Sequence, residues 1–215
     1  RYAELEAAHP EYTRVSAREL FERIAWAQAE TGRPFLLHKD HVNHKSNQKH
    51  LGTIKSSNLC TEIVIHTDKD NTAVCNLASL VLGSFVAEGA FDFELLARVV
   101  RRAVRNLNAV IDANYYPTER ARRCNTHGRP IGLGVQGLQD VFFALELPFD
   151  SDGARRLNRR IFESIYYWAA HESTVLAEEG IECPAYAGSP ASKGVLSHDL
   201  WGVADERLET AGQLD

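Results

Sequence analysis

The sequence predicts a mixed α/β fold, and three observations carry that prediction. Two long stretches, near residues 92–116 and 152–179, repeat apolar side chains at helical spacing. Two short stretches, 59–66 and 72–85, have β character: the first alternates apolar and polar residues and the second is rich in Val and Leu. The chain has 215 residues, 44% of them hydrophobic and 25% charged, enough material for a substantial core.

Taken in order, Ser16 followed by Glu19 reads as a capping box, and Leu20, Phe21, Ile24 and Ala27 keep helical spacing until Gly32-Arg33-Pro34, predicting a helix over 17–31. Residues 38–57 are mostly polar, with Leu51 and Ile54 the main residues to bury, and predict a long connection. Asp68 to Asn71 has turn chemistry between the two β segments. Asp92 can cap a helix whose Leu96, Val99, Val100, Ala103, Leu107, Val110 and Ile111 share one face, ending before Pro117. A short extended piece interrupted by glycines then precedes a helix over 138–145. The second long helix, 152–179, carries Leu157, Ile161, Ile165, Trp168 and Leu176, and Gly180 suits its C-terminus. The tail is loop-rich, with a weak helix near 205–211. No repeat or low-complexity linker divides the chain, so residues 1–215 read as one domain or part of one.

Composition excludes several classes of function. The formal charge is −5, from 24 basic and 29 acidic residues, and the basic residues form no stripe interleaved with aromatics, which argues against a nucleic-acid polymer as partner. No stretch approaches the roughly 20 apolar residues of a membrane span, and the first residues lack signal-peptide order, so the expected compartment is the cytoplasm. The cysteines, Cys60, Cys75, Cys124 and Cys183, are far apart with no CxxC pair, consistent with free thiols or with chemistry. The chain begins with Arg1 and contains no Met, which suggests an internal piece of something longer.

The richest motif is Ser57-Asn58-Leu59-Cys60-Thr61-Glu62-Ile63. If extended, its period of two puts Asn58, Cys60 and Glu62 on one face. A carboxamide, a thiol and a carboxylate together could hold a hydroxylated substrate, supply a hydrogen from sulfur and take a proton. The alternative is a half-buried edge strand with a core cysteine. Cys75, in Val74-Cys75-Asn76-Leu77-Ala78-Ser79, reads either as a buried inert thiol or as one of two redox thiols on adjacent segments.

Two further patterns lose on context. Gly132-Leu133-Gly134-Val135-Gln136-Gly137 matches the dinucleotide fingerprint, yet the residues before it are polar and broken by Pro130, and no second strand ending in an acid follows. The glycines instead suit close backbone approach inside a sheet or barrel. His38, His41, His44 and His50 could suggest zinc, but the Lys- and Asn-rich surroundings and the lack of cysteine or a fixed helical pair favour a polar surface loop. No G-x-S-x-G elbow supports a serine hydrolase.

With these residues in hand, the sequence resembles the catalytic large subunit of class I ribonucleotide reductase, a ribonucleoside-diphosphate reductase. The match lies in Lys45-Ser46-Asn47-Gln48 with Leu51-Gly52-Thr53-Ile54-Lys55, in the two cysteine motifs, and in Arg129-Pro130 running through Leu138. Asn106-Leu107-Asn108, Tyr115-Tyr116-Pro117 and Gly188-Ser189-Pro190 extend it over nearly the whole chain, in order.

The resemblance implies an α/β fold that is part of a ten-stranded α/β barrel with a catalytic finger loop. Cys60 would become a thiyl radical and abstract the ribose 3′ hydrogen, Glu62 would take the 3′ hydroxyl proton, and Asn58 would position the sugar. Cys75 would be one of two thiols that deliver reducing equivalents. A metal-containing small subunit would supply the radical, a thioredoxin or glutaredoxin the electrons, and ATP and dNTP effectors would bind elsewhere in a homodimeric large subunit; this chain would hold no cofactor or metal. Relatives carry Ser where Cys124 stands, a basic residue and His near His127-Gly128, and mixed residues in place of the His-rich loop. The family's ATP cone, specificity site, partner thiol of Cys75, phosphate loop, radical-relay tyrosines and shuttle cysteines have no match, as expected of the middle of a large subunit. A noncatalytic fragment or binding module that keeps the fold is the alternative.

Overall fold

The computed structural model describes residues 2–201, so the weak helix expected near 205–211 lies outside the described residues. The elements are helices α1 (Tyr2–Ala8), α2 (Ala17–Thr31) and α3 (Lys39–Lys45), strands β1 (Leu77–Val81), β2 (Val86–Ala87) and β3 (Ala90–Phe91), then α4 (Phe93–Ala113), α5 (Glu119–Gly128), β4 (Gly132–Gln136), α6 (Leu138–Ala144) and α7 (Asp152–Glu178). Short 3₁₀ turns at Leu82–Phe85, Pro184–Tyr186, Ala191–Lys193 and Ser197–Trp201 complete the order.

The frame is a mixed α/β unit in which β1 and β4 pair in parallel, Leu77 opposite Gly132 through Val81 opposite Gln136. Parallel strands need a long crossover, here supplied by the β2–β3 hairpin, α4 and α5. The hairpin closes through Glu88 and Gly89, both at positive φ, which suits a tight two-residue turn. Asp92 caps α4 by accepting the Leu95 N–H at 2.8 Å, and Ser151 caps α7 by accepting the Ala154 N–H at 3.1 Å. α4 turns Leu96, Val100, Val104, Leu107 and Ile111 inward, whereas Val110, expected on that face, is half-exposed. Leu80, Leu82, Phe85, Leu96, Val100, Val141, Ile161 and Ile165 form the core.

Glu172 of α7, 1% exposed, joins α4 to α7 by accepting from Arg101 Nε at 2.6 Å and from Arg105; Arg105 also grips Glu179 with two hydrogen bonds of 2.7 Å. Burial pushes the Glu172 carboxyl up, but the two guanidinium groups outweigh it and hold it below the usual range.

Several expectations are corrected. Residues 59–66 form no strand, and the second β segment is a strand only over Leu77–Val81 before turning into 3₁₀ helix. The polar connection at 38–57 contains α3, and the polar stretch before Arg129 is α5, whose buried Ala121, Cys124 and Asn125 make a narrow helical stripe. The GLGVQG run is the strand β4 itself with the start of α6. A Cβ on Gly132 would lie 2.6 Å from Leu77 Cδ2, and Gly137 holds φ +78° at the N-cap of α6, so these two glycines have steric reasons unrelated to a phosphate.

Candidate active site

The loop between α3 and β1 is raised from a braced base. Asn43 of α3 bridges both backbone groups of the buried Ile54, donating to its carbonyl at 2.9 Å and accepting its N–H at 2.8 Å. Gln48 Oε1 accepts the His66 N–H at 2.8 Å, which ties the outgoing leg to the returning one. Gly52 lets the legs close: a Cβ there would stand 2.5 Å from His66 Nε2. The polar residues between Lys45 and Lys55 are therefore the brace of the loop that follows.

At the tip, the Thr61 N–H donates to Asn58 O at 3.2 Å, closing a turn with Leu59 and Cys60 at its centre and Thr61 at φ 71°. Asn58 holds the turn from inside: its Oδ1 accepts the Ile63 N–H at 3.1 Å and its Nδ2 donates to Glu62 Oε1 at 2.5 Å. The Ser57 hydroxyl donates to Ile63 O at 2.5 Å. A cleft of about 230 Å³ opens alongside, walled in part by Phe35, Leu37, Ile54, Ser57 and Asn58.

Asn58 and Glu62 thus do meet, and beside Cys60 in sequence, but through a turn and not through strand alternation. Cys60 is exposed at the tip, which removes the core-cysteine reading. Cys75, two residues before β1, is also exposed, so the buried inert reading fails there too. With no strand at residues 58–63, Cys60 and Cys75 are not related across a strand pair. Ser57, quoted in the motif without a role, is a turn-forming residue whose position just before Asn58 was the available signal.

The other two thiols differ. Cys124 is buried on α5 with its Sγ 3.9 Å from His66 O, and burial pushes its thiol up. Cys183, half-buried, is likewise pushed up, its Sγ donating to Gly128 O at 3.4 Å. Among the described residues no cluster of three or more His, Cys, Asp or Glu could hold a metal, and His38 and His41 merely stack edge to face at 5.8 Å.

Comparison with known proteins decides the family. The profile described as "Ribonucleotide reductase, barrel domain" matches residues 1–214. The chain belongs to the barrel-domain family of ribonucleotide reductase. It is 52% identical over 189 residues to the "Ribonucleoside-diphosphate reductase large chain" of Schizosaccharomyces pombe, covering 88% of this chain and 23% of that protein. Over 203 residues it is 53% identical to the "Ribonucleoside-diphosphate reductase large subunit" of Caenorhabditis elegans, 94% of this chain and 26% of that protein. With the large chain of Encephalitozoon cuniculi the identity is 55% over 190 residues, 88% and 25% respectively. The chain therefore spans about a quarter of the length of these relatives. The described residues hold one pair of parallel strands with its helices, and these do not close a barrel.

Proposed function

We propose that this chain carries the thiyl-radical centre of a ribonucleoside-diphosphate reductase. The observation that carries the reading is the turn at residues 58–62, where an exposed thiol falls in sequence between a carboxamide and a carboxylate that are hydrogen-bonded to each other. A separate metal-containing small subunit supplies the oxidising radical. Cys60, as a thiyl radical, takes the 3′ hydrogen of the ribose to become a thiol, leaving the unpaired electron on C3′. Glu62 accepts the 3′ hydroxyl proton while the 2′ hydroxyl is protonated and leaves as water. Asn58 holds the sugar hydroxyls, with Glu62 already fixed beside it. Two electrons and two protons come from a dithiol, to which Cys75 contributes one sulfur and a thiol outside this chain the other: one proton leaves in the water, the other goes with one electron to C2′, and the second electron reduces the 3′ ketone as Glu62 returns its proton to the 3′ oxygen, leaving a disulfide. The 3′ hydrogen then returns from Cys60, regenerating the radical. A shielded interior protects such intermediates from water.

On this reading the chain is a single partial domain, the central portion of the barrel. Its partners are a ribonucleoside diphosphate, the small subunit, a thioredoxin- or glutaredoxin-type reductant and a second large subunit, in the cytoplasm, with ATP and dNTP effectors bound elsewhere. No described helix is long and apolar enough to cross a membrane. The second reading, a noncatalytic fragment that keeps the fold, is favoured by the exposure of Leu59 and Cys60 in this chain alone. The test is deoxynucleotide formation by the 215-residue chain and by a full-length subunit containing it, each with the small subunit and a dithiol. Turnover only in the full-length form supports the reading; a full-length form inactive under all radical-competent conditions overturns it.

A further inference from the structure

Two carboxamides that the reaction scheme does not use are buried beside Cys75. Asn76 is 5% exposed and Asn125, on α5, is 0% exposed. Asn76 Nδ2 donates to Asn125 Oδ1 at 2.6 Å, and Asn125 Nδ2 donates back to Asn76 Oδ1 at 3.2 Å. The second hydrogen of Asn76 Nδ2 goes to Pro130 O at 2.8 Å, and that of Asn125 Nδ2 to the Tyr116 hydroxyl, which itself donates to Ile111 O at 2.6 Å. All four amide hydrogens are used. The Asn76 backbone carbonyl also accepts the Gly132 N–H at 2.9 Å, just as β4 begins.

Thus α4, α5, β1 and β4 converge on the residue that follows Cys75. On the other side of the thiol, the Thr72 N–H donates to Arg120 O of α5 at 3.3 Å. Residues 72–76 are held at both ends by α5, and the exposed Cys75 stands between the two attachments. A disulfide forms only within a narrow window of Cα separation and Cβ direction, so a redox thiol gains from a fixed main chain. A fully satisfied buried network is a rigid way to provide one.

We propose that Asn125 is a positioning residue for Cys75, acting through Asn76 to fix the direction in which the thiol leaves the start of β1. This rests on the reading of Cys75 as a redox thiol.

The test places a nitroxide spin label on Cys75 of the full chain carrying Cys60→Ser and Cys183→Ser, with buried Cys124 as the gauge of folding. The parent should give a slow-motion spectrum. In Asn125→Ala, which loses both contacts to Asn76, the mobile fraction should rise at least roughly fivefold, the population change that accompanies loss of a single net hydrogen bond. A label on Cys60, in a Cys75→Ser and Cys183→Ser background, should not change. An unaltered Cys75 spectrum with Cys124 still unlabelled overturns the proposal, as does an equal gain at Cys60. If Asn125→Ala opens Cys124 to the label, Tyr116→Phe, which removes one arm of the network, decides: a gain confined to Cys75 supports the proposal and no gain overturns it. The redox reading of Cys75 fails separately, if Cys75→Ser sustains repeated turnover in the full-length enzyme.

Discussion

Asn58 and Glu62 hydrogen-bond across the base of the turn that presents Cys60, Nδ2 to Oε1 at 2.5 Å. Asn58 Oδ1 accepts the Ile63 N–H, so one side chain fixes both the backbone of the turn and the carboxylate of Glu62. The turn that carries Cys60 is therefore held mechanically by Asn58 and Glu62.

Replacement at the tip should separate the chemical roles. In a full-length subunit containing this chain, Cys60→Ser should abolish deoxynucleotide formation, because an O–H bond is too strong for the corresponding alkoxyl radical to form. Glu62→Gln should keep the Asn58 contact yet lower turnover by about 100-fold or more, the typical contribution of a positioned general base. Product against time for each variant checks this; appreciable turnover by Cys60→Ser removes the assignment.

The four thiols should sort into two classes. Alkylation by iodoacetamide, followed site by site with mass spectrometry, should modify Cys60 and Cys75 first, since both are exposed. Cys124 and Cys183, shielded and with burial raising their thiols, should lag until denaturant is added. Reaction of Cys124 as fast as Cys60 in the native chain contradicts the packing of α5.

Acid should weaken the α4–α7 junction through Glu172. Its folded carboxyl lies below the ordinary value of 4.5, so the unfolded chain binds more protons as pH falls. The contribution is complete above that value and disappears as pH drops through the folded one. Glu172→Gln should cost about 2 kcal/mol at pH 7, below the full figure for a buried pair because Arg101 and Arg105 are partly solvated, and should flatten the pH dependence of stability below the ordinary carboxylate value. Urea midpoints at several pH values provide the measurement.

The glycines of β4 and of the α6 N-cap should respond individually, and dinucleotides should not bind. Gly137→Ala forces φ +78° on an L residue with Asp140 Oδ2 3.1 Å from the new Cβ, and should cost about 1–2 kcal/mol; Gly134→Ala meets only ordinary contacts and should cost less. Nicotinamide and flavin dinucleotides should leave Tm unchanged, because a ligand of the folded state alone would raise it. A saturable rise would restore the dinucleotide reading.

The sequence by itself determined α2, α4 and α7, because helix hydrogen bonds are local and a stripe of Leu, Val and Ile at helical spacing needs only one surface to pack against. It also determined which residue types stand around Cys60. It did not determine how they meet: a strand exists only with a partner, and residues 58–63 have none, so alternation yielded to the turn that Asn58 can close by itself. Helix α5 was hidden because its polar faces mask a stripe of Ala121, Cys124 and Asn125, although Thr118 at its N-cap and their i, i+3, i+4 spacing were in plain view. The exposure of Cys75 came from outside its own segment. Asn76, one residue on, is buried and bonded to partners 49 to 54 positions away, Asn125 of α5 and the Pro130 carbonyl, and only those long-range contacts turn that residue in beside an exposed Cys75.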